Sequence, residues 1–164
     1  MKIELDKSLI KKAKNPHELS LINLAAFNLF AAPVGIVLDI GLLGLLIPLL
    51  LSCSMIALIW ILAKKESRQE HWFIAAHWDL ARRRSKILLT GYGISITIFS
   101  FAHFVLASSK MGDIMMVAFT RVAIVPTLIC VMISFVLVSG GIFQASKGEI
   151  ADSIAEEFNP EKTN

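Results

Sequence analysis

Charge is scarce over the longest stretch of this chain. From Leu19 to Ala63, 45 residues carry a single charged side chain, Asp39. One bilayer crossing takes about 20 apolar residues, so the stretch holds two crossings and a turn. Soluble core helices seldom run past roughly 20 residues, which excludes a water-soluble domain. Cysteine is nearly lacking as well. Cys53 and Cys130 both fall inside apolar runs, where thiols behave as small hydrophobes, and no disulfide framework is expected. The first residues lack the basic region, short apolar core and small-residue cleavage site of a signal peptide, so the first span is expected to act as an uncleaved anchor. A glycine-rich phosphate loop, a nucleophile motif, an internal repeat and a low-complexity segment are all missing from the sequence.

What is present reads as one membrane domain of 164 residues, 55% of them apolar. The net charge of +3 does not point to nucleic acid, because the cations sit in short segments beside apolar runs, as topology determinants do. The expected fold is all-α: four transmembrane helices in a bundle, with an interfacial or cytoplasmic helix between the second and third. A polar N-terminal segment, 1–18, carries Lys2, Lys7, Lys11, Lys12 and Lys14. Its start suits a short interfacial helix that Asn15 and Pro16 break.

The first span is placed at 19–38. Asn23 and Asn28 should turn toward other helices, where amides find partners, and Pro33 should kink it. Asp39 marks the far boundary, where a charge costs least, and opens a tight turn with Ile40 and Gly41. The second span, 42–63, ends on Trp60 with Lys64 and Lys65 behind it, a membrane-edge pattern.

Residues 64–86 hold seven cations, two Trp and two His. On a helix, Trp72, Phe73, Ala76 and Leu80 share one face while Ile74 and Trp78 lie on the other. The segment reads as an interfacial helix resting on, or packed under, the bundle, and able to run unbroken into the third span at 87–107. In that span Gly91 with Ser95, and Gly93 with Thr97, form small-residue pairs at helical spacing. The apolar run 114–145 exceeds one crossing, so the fourth span is placed at 121–143, with 114–120 as an outer interfacial turn. Gly140 and Gly141 offer close packing or a loosened helix end. The tail from 146 to 164 is acidic.

Four spans put both termini on one side, together with nearly all cations, and the positive-inside rule makes that side the cytoplasm. The expected location is a bacterial inner membrane.

His71 and His77 invite a metal or haem reading. Their i, i+6 spacing leaves them about 120° apart, whereas helix metal sites use i, i+3 or i, i+4. They read instead as interfacial residues beside Trp72 and Trp78. His103 has no His at matching depth on another span to complete a haem site, and reads as a packing residue partnered by an Asn of the first span. Arg121 is expected to pair with Asp39 or Asp113, or to snorkel. Arg82, Arg83 and Arg84 read as a topology determinant and headgroup contact.

No cofactor or metal is expected. The partners expected are membrane lipids, other membrane subunits or a second copy, and a cytoplasmic partner at 64–86 and the tail. The functional expectation is a non-catalytic accessory, assembly or scaffold subunit. A small oligomeric transporter or channel is the alternative, although Asp39 sits at a turn rather than within the first helix. A haem or quinone redox protein is third, lacking paired loop cysteines and matched histidines.

Overall fold

The computed structural model describes residues 6–38, 40–66, 71–106 and 112–158. Among them every regular element is a helix, and four helices are long and apolar enough to cross a membrane. α1 (Lys7–Ile22) passes into a π segment (Asn23–Ala31) and then α2 (Ala32–Val37). α3 (Leu43–Glu66), α4 (Trp72–Leu106) and α5 (Gly112–Ser146) follow, and α6 (Asp152–Phe158) closes the order. The bundle therefore has a terminal end, where α1 begins, α3 ends, α4 begins and α6 packs, and a turn end, where α2 meets α3, α4 ends and α5 begins.

Two expectations about breaks are corrected. Pro16 does not end the first helix, because α1 runs through it. Pro16 and His17 are buried, so packing holds that turn although proline brings no amide hydrogen. Residues 114–120 are no separate turn but part of α5, one 35-residue helix. Pro33, where a kink is expected, is preceded by the π segment. There the Ala32 amide still donates to Phe27 O, five residues back, just before a residue that cannot donate at all.

That register has a consequence for the two asparagines. Five residues at 100° leave Asn23 and Asn28 about 140° apart on an α-helix. A π turn closes five residues on, bringing them nearly one above the other. Asn28 Nδ2 accordingly donates to Asn23 O at 3.3 Å.

The helix between spans two and three is continuous with the third span. α4 starts at Trp72 and α6 packs against it. The terminal-end core brings Ala13, Phe73, Ala76 and Leu80 together with Ala145, Ile150, Ile154 and Ala155. A second cluster on the other face of α4 joins Ile74, Trp78 and Ala81 to Ile59 and Ala63. Both faces of this segment are covered, which is why it tolerates apolar residues all round. A third cluster, Leu24, Ile56, Leu88, Tyr92, Val131 and Val138, carries the core into the membrane.

At the turn end the helices meet on glycine. Gly35 of α2 and Gly44 of α3 cross so closely that a methyl group on either would collide with the other's backbone. Gly41, at φ +61°, supplies the left-handed turn between them.

Candidate functional site

The interior contains two polar sites, one at the terminal end and one within the membrane. The first joins α1 to α4. His17 and His77 are both fully buried, with His17 Nε2 3.0 Å from His77 Nδ1. The rings meet edge to face, their centroids 5.3 Å apart, and Phe73 packs on His77 at 4.6 Å. Arg84 reaches over the pair to α5, donating from Nη1 to Leu137 O at 2.5 Å. Gly141 makes this possible, since any side chain there would strike His17 and Arg84.

Both histidines lie outside the apolar spans, among Lys11, Lys14, Arg82 and Arg83. Burial, then His77, then the Arg84 charge push His17 down to about 3. Burial pushes His77 down to about 4, with Arg84 adding to the effect and the Glu149 backbone opposing it. The pair is neutral at physiological pH. Two ring nitrogens, His17 Nδ1 and His77 Nε2, have no hydrogen-bond partner among the described residues.

Around this pair the charged groups form a clamp. Asp79 accepts from Arg82 Nη2 and Arg83 Nε, both at 2.5 Å, and Arg83 Nη2 also reaches Glu157 at 2.6 Å. Arg83 thereby ties α4 to α6.

Below the pair, a void of about 20 Å³ lies among Ser20, Asn23, Arg84, Ser85 and Ser134, apolar residues filling the rest of its wall. Asn23 Oδ1 and Ser134 Oγ, both buried, have no hydrogen-bond partner among the described residues. The void has the size of a single water site.

The second polar site is built on the π segment. The Tyr92 hydroxyl lies 2.6 Å from Asn28 Oδ1 and 2.6 Å from Ser52 Oγ, donating to one and accepting from the other. Ser95 Oγ and Thr127 Oγ1 are 2.7 Å apart, one helical turn further on. Spans one to four each supply a member of this group.

The residues singled out in the sequence are distributed as follows. Asn23 and Asn28 face the interior, whereas His103 is exposed on α4, and the Asn28 carbonyl meets Tyr92 rather than a histidine. His71 is exposed and Trp72 half-buried. His77 and Trp78 are buried rather than interfacial, because α1, α3 and α6 cover that part of α4. Arg82, Arg83 and Arg84 have three separate roles: an ion pair with Asp79, a bridge to Glu157, and a reach into the interior.

Gly91 packs on Cys130, and Gly141 on His17; a Cβ at Gly93 or Gly140 meets nothing within 4 Å. The pairing expected of Arg121 falls on Asp39 and the Asp113 side chain, both outside the described residues, and Arg121 itself is exposed. Among the described residues no three His, Cys, Asp or Glu side chains converge as a metal site would require.

His17, Ser52, Asp79 and Tyr92 were not picked out from the sequence. One signal was available: Tyr92 is the chain's single tyrosine, placed inside an apolar run, and a buried phenol needs a partner.

Fold and sites together define the class: an all-α, multi-pass membrane protein with polar groups gathered inside its bundle. No protein-family model, no curated protein and no solved structure matches the chain.

Proposed function

We propose that the chain is a non-catalytic accessory, assembly or scaffold subunit of a larger complex in a bacterial inner membrane. In this reading the terminal end faces the cytoplasm, since it carries nearly all the cations. The observation that carries the proposal is the Arg83 clamp. It joins Asp79 of α4 to Glu157 of α6, so that two segments far apart in sequence present one face. Lys64, Lys65, Lys86 and Glu156 are exposed on the parts of α3, α4 and α6 at the same end of the bundle. A preformed charged surface of this kind favours specific, salt-sensitive docking over non-specific adhesion. Affinity purification from membranes is the test. A fixed set of membrane proteins should accompany the wild type and be lost when Arg82 and Arg83 are changed to Glu. Recovery of the protein alone from wild-type membranes would remove the proposal.

A second reading, a small oligomeric transporter or channel, has an observation of its own. Polar side chains follow one another inside the bundle, from His17 and Arg84 through Asn23 and Ser134 to Asn28, Ser52 and Tyr92. In a membrane such residues are candidates for a solute path. Solute-dependent flux in proteoliposomes, abolished by Asn28→Leu, would support this reading over the first.

A further inference from the structure

The turn half of the bundle contains a cavity of about 380 Å³, walled by all four spans. That volume falls within the roughly 300–1,000 Å³ of small-molecule sites. Its lining indicates what it takes. Among the described residues no charged side chain contributes to the wall, and a charge placed at its inner end would face a low dielectric without a counter-charge from them. The ligand is therefore uncharged.

Most of the wall is Leu, Ile, Pro, Ala, Val and Phe; apart from Thr120 toward the turn end, the polar groups gather at the inner end. Those inner groups hold more hydrogens than they use. In the Ser95–Thr127 pair one hydroxyl donates to the other, and the acceptor keeps its own hydrogen. The Asn28 amide donates to Asn23 O and Ser52 Oγ at 3.3 and 3.4 Å, long bonds that a closer acceptor would replace. A group that only accepts, a carbonyl oxygen, matches this surplus.

Depth excludes the commonest carbonyls in a membrane. Asn28, Ser52 and Ser95 lie roughly 12–15 Å inside their spans at 1.5 Å per residue. The esters of a two-chain lipid stay in the interfacial layer, outside the hydrocarbon core.

We infer that this cavity binds an uncharged, largely apolar carbonyl compound, its oxygen seated between Asn28 and the Ser95–Thr127 pair and its apolar part extending toward the turn end. This site is independent of the subunit reading and stands or falls without it.

Tyr92 provides the test, because a chain with one tyrosine labelled with fluorotyrosine gives one fluorine resonance, at the inner end of the cavity. The full chain in lipid nanodiscs is titrated with a long-chain methyl ketone, with the alkane of equal length, and with the corresponding fatty-acid anion. The ketone should shift the resonance saturably and bind about tenfold tighter than the alkane, the factor one good hydrogen bond supplies. The anion should not shift it. Thr127→Val, which keeps the volume and removes a hydroxyl, should erase most of the ketone's advantage, and Ala123→Trp should abolish the shift by filling the cavity. Equal binding of ketone and alkane, or a shift that never saturates, would overturn the assignment. So would a resonance that follows the chain length of the host lipid and ignores the ketone, since the cavity would then hold bilayer lipid. If Ala123→Trp does not fold, the ketone–alkane difference in wild type and Thr127→Val still decides the matter.

Discussion

Phe73 and Phe104 lie at opposite ends of α4, one fully buried and the other 86% exposed. The contrast extends to the two halves of the bundle. At the terminal end, apolar residues cluster beneath α6 and charged residues form a clamp. At the turn end, Phe101, Phe104, Val37 and Leu38 point outward and the helices touch through glycines. The two solvents explain the difference. Water drives apolar side chains together with about 25 cal/mol per Å² buried. Lipid supplies no such force between helices, leaving close packing of small residues and interhelical hydrogen bonds.

Truncating the two phenylalanines tests that comparison with the largest expected effect. Phe73→Ala should cost about 3–5 kcal/mol of stability, read as detergent or thermal unfolding of the purified protein, whereas Phe104→Ala should stay within about 0.5 kcal/mol. Equal losses would show that the two halves are held by the same force.

Acidification comes next and should act on the terminal half alone. The folded values of about 3 for His17 and about 4 for His77 lie below the unfolded value near 6.5. Between those limits the unfolded chain binds more protons than the native one, so stability rises with pH there. The contribution of the pair is complete above about pH 6.5 and is lost progressively as pH falls toward 4 and 3. Unfolding midpoints measured across this range should fall in wild type and fall less steeply in the double variant His17→Gln, His77→Gln, whose remaining slope is that of the carboxylates.

Glycine substitutions sharpen the comparison. Gly141→Val meets His17 and Arg84 and should cost about 1–3 kcal/mol by overpacking. Gly140→Ala, its neighbour in open space, should be neutral or stabilise by roughly 0.5–1 kcal/mol.

The smallest effects concern single polar contacts. Tyr92→Phe removes the phenol from Asn28 and Ser52 and should cost about 0.6 kcal/mol, with 1.7 as a rough upper bound, typical of hydrogen bonds within membranes. Glu157→Gln should cost about 0.2–1 kcal/mol, and only at low salt, because the Arg83 bridge is exposed to screening.

Much of the architecture was legible in residue order. The uncharged run from Leu19 and the apolar runs after it anticipate the four membrane-length helices, since hydrocarbon tolerates neither charge nor open backbone. The inward turn of Asn23 and Asn28 was legible as well. Their mutual alignment was not, because it depends on a π register that hydropathy does not encode. His77 and Trp78 were misassigned to a membrane edge for a related reason. An amphipathic segment with both faces partly apolar looks the same whether it lies on lipid or beneath α6. Asp79 looked like one charge among many until Arg82 and Arg83 were seen to converge on it.

The candidate sites depend on contacts across long separations. His17 and His77 are sixty residues apart, and Tyr92 meets Asn28 across sixty-four. Each contact requires a particular rotation of two helices about their own axes, and no local pattern specifies both. Residue order alone determined that the chain crosses a lipid layer and where it turns, because the cost of placing charge in hydrocarbon acts on each segment separately. Only the tertiary structure decided which polar groups meet inside and where a cavity remains, because those depend on how the helices are rotated and packed against one another.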